Sequence, residues 1–210
     1  MSLLHFGLFL SLLSASYSQV QPVNGKIRVQ IGGTAGCPFV ARYITESVGP
    51  VFAKYGQFLD IEFVPWGKTR RTENGELECQ FGKRDCWANR LHRCAIDLLK
   101  DDPAAMVRYM VCEFTTPKPG YNGSYQCARD VGLRLIEVDN CMATEAGDRL
   151  AVAAESAATE AINTFGSIPY TVINGIVNRD VSVQARERLE SVICFALADD
   201  PNSGIKACKI

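Results

Sequence analysis

The sequence predicts an α/β domain that carries a cysteine-rich insertion at about residues 67–143. Residues 26–66 change from a strand-like to a helical and back to a strand-like pattern, which is the order of a βαβ unit. Six of the nine cysteines fall inside the insertion, and the chain after it returns to helix, strand and helix. Because 47% of the 210 residues are hydrophobic, one domain can bury a core of its own.

The βαβ unit is predicted from three stretches. Lys26–Gly33 alternates and ends in two glycines, which is typical of a strand. Pro38 is favoured in a first helical turn, and apolar residues recur at helical spacing over Phe39–Tyr55, so we expect a helix kinked at Gly49-Pro50. Phe58–Trp66 is again typical of a strand.

The later part of the chain predicts three helices and a hairpin. Arg129–Asp139 and the alanine-rich Glu145–Asn163 favour helices. Residues 168–177 form two short β-runs around Asn174-Gly175, a dipeptide favoured in tight hairpins. Val183–Ala198 is an amphipathic pattern that closes the chain as a helix.

Charge and hydropathy restrict the kinds of partner and the cellular compartment that we expect for this chain. The chain has 22 basic and 23 acidic residues, so its totals indicate no nucleic-acid partner. Residues 1–18 hold an apolar run followed by small residues, which predicts a cleaved signal peptide and a mature chain of residues 19–210. No later run reaches the length of a membrane span, so we expect a soluble secreted or luminal protein. The sequon at Asn122 predicts N-glycosylation.

Cys37 is the most informative residue. A thiol at a helix N-terminus faces unpaired amides and the positive end of the helix dipole, which favour the thiolate and make a nucleophile. Cys37 can also be one more half-cystine, but nine is an odd number and eight cysteines can pair without it. The prediction is a free Cys37 and four disulfides of unspecified pairing among Cys79, Cys86, Cys94, Cys112, Cys127, Cys141, Cys194 and Cys208.

The residues after Cys37 give the motif Cys37-Pro-Phe-Val40, in which valine stands where a redox C-x-x-C motif has its second thiol. That second thiol normally attacks the mixed disulfide and releases the reduced substrate. We expect Val40 to pack under the helix, so an external thiol must clear any disulfide formed by Cys37.

Two other kinds of site are less well supported. The cysteines of residues 79–94 are spaced by six and seven residues without a C-x-x-C pair, which favours disulfides over a metal site. His92 lies among basic residues and is predicted to be a solvated helical histidine. No G-x-S-x-G elbow indicates a hydrolase. We expect neither metal nor cofactor.

The cysteine segment resembles the signature C-Q-H-G-x-x-E-C-x-x-N-x-x-x-x-C of the gamma-interferon-inducible lysosomal thiol reductase (GILT) family. Every spacing is kept, with Phe81 in place of His and Asp85 in place of Glu. The matching positions are Cys79, Gln80, Gly82, Cys86, Asn89 and Cys94. The resemblance implies a thioredoxin-like fold with a helical, disulfide-bonded insertion, and a glycoprotein that reduces protein disulfides in the endosomal and lysosomal pathway.

The resemblance also implies roles for single residues. Cys37 becomes the attacking thiol, and Pro169 becomes a cis-proline beside the Cys37 loop. The substrate-binding residues are expected to be Pro38, Phe39, Ile168 and Pro169. Disulfide-containing proteins or peptides are the expected partners, with a small thiol as reductant.

Three functions remain open at this stage. The first is a thiol-disulfide oxidoreductase that works through Cys37 alone. The second is a redox-silent thioredoxin-like protein that binds unfolded or cysteine-containing chains. The third is a secreted disulfide scaffold with an unrelated interaction role, dimerised through Cys37.

Overall fold

The computed structural model describes residues 20–208, so the predicted signal peptide lies outside the described residues. Its strands, in chain order, are β1 (Ile27–Gly33), β2 (Leu59–Pro65), β3 (Arg70–Arg71), β4 (Leu77–Glu78) and β5 (Tyr170–Ile173). Its α-helices are α1 (Pro38–Tyr43), α2 (Gly49–Tyr55), α3 (Lys83–Leu98), α4 (Pro103–Phe114), α5 (Gln126–Asp130), α6 (Leu135–Ala143), α7 (Glu145–Phe165) and α8 (Arg179–Ala198).

The central sheet has the strand order β2–β1–β5. Strand β1 pairs in parallel with β2, from Ile27 opposite Leu59 onward, and antiparallel with β5, where Gly32 lies opposite Tyr170. A parallel pair needs a crossover, and α1 and α2 supply it. The α/β fold class and the βαβ unit predicted from residues 26–66 are therefore both present.

The crossover differs from the single kinked helix that the sequence predicts. A π-helical turn, Ile44–Val48, separates α1 from α2, and the Gly49 N–H bonds to the Ile44 carbonyl. Pro50 has no N–H to donate into the helix, so the chain changes its hydrogen-bond register just before it. A Cβ on Gly49 would lie 2.9 Å from Val111 Cγ2, so glycine also lets α4 pack closely here.

The insertion consists mainly of α3 to α6 and a two-stranded β3–β4 hairpin. The predicted helix Arg129–Asp139 is wrong, because the chain breaks between α5 and α6 at Gly132, whose φ of 84° is left-handed. The predicted helix Glu145–Asn163 is α7, which runs on to Phe165 and ends at Gly166, again left-handed.

The predicted hairpin around Asn174-Gly175 forms only in part. Strand β5 ends at Ile173, and its return is a single bridge from Ile173 to Ile176. The side chain of Asn178 accepts hydrogen bonds from the amides of Asp180 and Val181 and starts α8 four residues earlier than predicted. Too few residues remain between turn and cap for a second strand.

Helices cover both faces of the sheet. On one face Ile27, Val29 and Ile31 belong to the main core, which also takes in buried residues of α1 to α4 and α8. On the other face α7 packs its alanines against the end of β2 and places Phe165 beside Tyr170 and Val172. A sheet buried on both faces explains why all of β5 is buried. None of the helices within residues 20–208 is long and apolar enough to cross a bilayer.

Candidate active site

Cys37 lies four residues beyond the carboxyl end of β1 and is the N-cap residue of α1. Its N–H donates to the Thr34 carbonyl at 3.2 Å, and its own carbonyl accepts from the Ala41 amide at 3.1 Å. The thiol is free but only 3% exposed. The loop therefore holds one free thiol that is almost fully buried.

Asp85, on the first turn of α3, holds the loop that leads to Cys37. Its carboxylate is buried and accepts from the Thr34 hydroxyl at 2.8 Å, from the Gly36 amide at 2.8 Å and from the Phe81 amide at 3.2 Å. The bonds from Thr34 and Gly36 join the β1–α1 loop to the insertion, and the bond from Phe81 orders the start of α3. The sequence marks Asp85 only as a departure from the family signature and does not reveal this contact.

Asn89 stands one helical turn after Asp85 on the same face of α3. Its side-chain oxygen accepts from the Ala35 amide at 3.0 Å, and its amide nitrogen donates to the Thr34 hydroxyl at 2.6 Å. Two buried polar side chains at i and i+4 thus satisfy most of the polar groups of the Cys37 loop. The i, i+4 spacing places both side chains on one face of α3, but it does not reveal which loop they contact.

Two exposed aromatic side chains, Phe39 and Phe81, lie near Cys37. A Cβ added to Gly36 would lie 2.6 Å from Phe81 Cβ and Cγ, so Phe81 packs directly on the residue before Cys37. Phe81 is 38% exposed and Phe39 is 71% exposed. Pro38 is exposed as well. An apolar surface of this kind beside a thiol suits an apolar peptide segment.

Ile168 and Pro169 lie at the same end of the sheet. Tyr170 is paired with Gly32, so antiparallel register carries the two preceding residues toward the Cys37 loop. The Ile168–Pro169 peptide bond is cis, Pro169 is buried and Ile168 is half-buried. The four residues expected to contact substrate, Pro38, Phe39, Ile168 and Pro169, thus lie at the same end of the sheet as Cys37.

Val40 occupies the position of the second thiol of a C-x-x-C motif. Its side chain is 1% exposed, and a Cβ on Gly33 would lie 2.6 Å from Val40 Cγ1. Valine therefore packs between α1 and the end of β1, under the helix.

The other eight cysteines form four disulfides in the structure. The pairs are Cys79–Cys86, Cys94–Cys141, Cys112–Cys127 and Cys194–Cys208. Each of these sulfurs is already bonded, so no thiol of the chain remains to resolve a mixed disulfide at Cys37. Within residues 20–208, no group of three His, Cys, Asp or Glu side chains could hold a metal ion.

The prediction that His92 is solvated is wrong. His92 is buried between α3 and α4, with Nε2 3.4 Å from Glu113 Oε2, and its ring lies against Tyr109 and Phe114. Its basic neighbours in sequence project from other faces of the helix. Tyr109, whose ring lies against His92, shares this buried environment. Its burial, which is the largest cause, and the nearby Glu113 raise the pKa of Tyr109 well above its usual value.

The fold and this site define the class of protein. A cysteine caps the helix after β1, and a cis-proline precedes the antiparallel strand β5 at the same end of the sheet. A solved structure described as a thioredoxin-like oxidoreductase from Silicibacter pomeroyi DSS-3 superposes with a TM-score of 0.50 and 14% identity, covering 80% of this chain and 88% of that one. The fold is thioredoxin-like, as the resemblance implied.

The family follows from the sequence. Residues 28–131 match the family described as "Gamma interferon inducible lysosomal thiol reductase (GILT)", and the chain belongs to that family. It is 22% identical over 191 residues to "GILT-like protein 2" of Drosophila melanogaster, covering 90% of this chain and 88% of that protein. It is 24% identical over 196 residues to the "Gamma-interferon-responsive lysosomal thiol protein" of Arabidopsis thaliana, covering 92% and 80% respectively.

Proposed function

We propose that the protein is a thiol-disulfide oxidoreductase that acts on protein disulfides through Cys37 alone and needs an external thiol for turnover. The observation that carries the proposal is the free thiol at the start of α1 beside a resolving position filled by buried Val40. Membership of a family of thiol reductases and the thioredoxin-like fold support the general chemistry.

The reaction has two exchange steps. The Cys37 thiolate attacks one sulfur of a substrate disulfide, a new S–S bond to Cys37 forms, and the other substrate sulfur leaves as a thiolate that takes a proton from water. A thiolate of glutathione, cysteine or a substrate then attacks the mixed disulfide. The Cys37 sulfur leaves as a thiolate, ready for another cycle, and the substrate sulfur ends in a disulfide with the external thiol.

The shape of the site favours extended substrates. A thiol that is 3% exposed is reached by a flexible segment and not by a disulfide inside a folded protein. The exposed Phe39 and Phe81 offer apolar contacts near Cys37, while Ile168 and Pro169 lie at the same end of the sheet. The preferred substrates are therefore disulfides in unfolded or partly unfolded chains.

The compartment belongs to the same proposal. Four disulfides suit the oxidising secretory and endosomal or lysosomal lumen. Asn122 is exposed at the surface, where a glycan can be attached. We expect cleavage near Gln19, a single thioredoxin-like domain over residues 19–210 and a glycan on Asn122, which terminal sequencing and glycosidase treatment of protein from a eukaryotic host would check.

Trapping of a covalent intermediate tests the proposal. Wild-type protein and the Cys37→Ser variant are mixed with a peptide that contains a flexible disulfide, then analysed by non-reducing mass spectrometry. We expect a long-lived adduct on Cys37 in wild type, none in Cys37→Ser, and release on addition of glutathione. If wild type forms no adduct at any pH between 5 and 8, the proposal is wrong.

The near burial of Cys37 is the observation that favours the second function, a redox-silent protein that binds unfolded chains at the same aromatic surface. Binding without exchange would give peptide affinity that is equal in wild type and in Cys37→Ser. The trapping experiment therefore separates the two functions.

A further inference from the structure

The segment between α4 and α5 brings a lysine to the Cys37 loop. Lys118 Nζ lies 3.4 Å from the carbonyl oxygen of Ala35, two residues before Cys37, and 6.0 Å from the centre of the Phe114 ring. Lys118 is half-buried. Its contact with Ala35 joins residues 83 positions apart, so the fold and not the local sequence creates it.

The backbone holds this lysine in place. Lys118 has a left-handed φ of 58°, which costs an ordinary residue about 1 kcal/mol and persists only where the surroundings impose it. Its N–H donates to the Thr115 carbonyl at 2.7 Å, and its carbonyl accepts from the Asn122 amide at 3.2 Å. The Gly120 amide donates to buried Glu113 at 2.7 Å, which ties the same segment to α4.

The charges around Lys118 are few. The ammonium forms no ion pair with a carboxylate within residues 20–208. Burial lowers the pKa of Lys118, while electrostatic attraction to Cys37 and Asp85 acts in the opposite direction. Asp85 already accepts hydrogen bonds from Thr34 and Gly36 of the loop and from Phe81 of the insertion. Of these two groups, Cys37 is the one whose charge changes during the exchange reaction.

We propose that Lys118 is the fixed cation that stabilises the Cys37 thiolate. The inference rests on the proposed function and deepens it. Before attack the ammonium favours the ionised sulfur, and in the release step it favours Cys37 as the leaving group when an external thiolate takes over the substrate sulfur. The N-terminal turn of α1 and the ammonium of Lys118, which comes from the insertion, would then both favour the thiolate.

Alkylation of Cys37 by iodoacetamide between pH 5 and 9 tests this proposal. Lys118→Gln keeps a hydrogen-bond donor for Ala35 but removes the charge, and Lys118→Arg restores the charge. The exposed Lys100, changed to Gln, is the matched control. We expect Lys118→Gln to alkylate about three- to tenfold more slowly at pH 6, with the difference narrowing as the pH rises toward full ionisation of the thiol, because a shift of one unit in pKa is a tenfold change in thiolate at low pH. Lys118→Arg should stay within about twofold of wild type.

The outcomes separate this proposal from the function on which it rests. If wild-type Cys37 forms the peptide adduct but Lys118→Gln and wild type share one rate–pH profile, Lys118 has no electrostatic role and only this proposal fails. A Lys118→Gln rate that drops equally at every pH, with a lower unfolding midpoint, would show a purely structural role and also overturn it. If wild-type Cys37 reacts at no pH, the proposed function fails as well.

Discussion

The β1–α1–α2–β2 unit and the insertion are stabilised in different ways. No disulfide joins residues of the first, whose strands and helices supply much of the main core, whereas three disulfides lie wholly within the second. Helices α5 and α6 are short and bury few residues, so covalent links replace part of the missing core. The insertion is nonetheless part of the site, because Asp85 and Asn89 of α3 hold the Cys37 loop.

Removing the Cys94–Cys141 disulfide should have the largest effect. This bond joins α3 to α6 across 47 residues, and closing so long a loop stabilises the folded state by about 4 kcal/mol in the chain-entropy model. We expect a Cys94→Ala/Cys141→Ala variant to lose about that free energy of unfolding in urea. The matched control is Cys79→Ala/Cys86→Ala, which opens a loop of 7 residues and should cost about 2 kcal/mol. Equal losses would contradict the interpretation that loop length governs the effect.

Asp85→Ala should come next, with a loss of about 3 kcal/mol in unfolding free energy, because it leaves the buried donors of Thr34 and Gly36 without their acceptor. Cys37 should also alkylate faster, since the loop is released. Asp85→Asn keeps one acceptor oxygen and should retain about half of the lost stability. Unfolding in urea and alkylation at pH 7 measure both effects. An Asp85→Ala variant as stable as wild type would show that the insertion does not hold the loop.

Val40→Cys should lower the free energy of unfolding by about 1 kcal/mol or less, because a buried aliphatic side chain is replaced by a slightly smaller one. Its thiol lies one helical turn after Cys37, so we expect the peptide adduct on Cys37 to be released without added glutathione. Adduct lifetime by non-reducing mass spectrometry measures this. Val40→Ala, which has no thiol, should keep the long lifetime of wild type. A Val40→Cys adduct that lasts as long as the wild-type adduct would show that the second position is out of reach.

The smallest effect concerns the surface contact between the insertion and α7. Arg90 donates to Asp148 and lowers its pKa from 3.8, mainly through the hydrogen bond. A lowered carboxylate pKa stabilises the fold above about pH 4, and the contribution is lost as the pH falls through the lowered value. Because Asp148 is mostly exposed, Asp148→Asn should lower the free energy of unfolding by under about 1 kcal/mol at pH 7. At pH 2, where the carboxylate is largely protonated, the substitution should have almost no effect. Asp101→Asn is the control, and urea midpoints at both pH values decide the outcome.

The fold class and the position of Cys37 could be predicted because they depend on local patterns. The alternation of β1 and Pro38 at a helix start lie in short stretches of sequence, and the odd number of cysteines is a simple count that requires no knowledge of the fold. The predicted elements differ from the observed ones where a single residue outweighs a periodic pattern. Gly132 breaks the helix predicted over residues 129–139, and the Asn178 cap shortens the predicted hairpin.

The polar contacts of the site could not be predicted, because they join residues far apart in the chain. Asp85 meets Thr34 across 51 positions and Lys118 meets Ala35 across 83. The burial of His92 was open to prediction. His92, Ala95 and Leu99 follow the spacing of one buried helical face, and that periodicity outweighs the charge of the arginines beside it.

The absence of a second free thiol also determines how the protein meets oxidants. Peroxide converts a thiolate to a sulfenic acid, which a neighbouring thiol can capture as a disulfide before it is oxidised irreversibly to sulfinic acid. With Val40 beside it and every other cysteine already bonded, a Cys37 sulfenic acid can be rescued only by a thiol from solution. The working lifetime of each molecule under oxidative stress would then depend on the supply of small thiols in its compartment and not on its own chain.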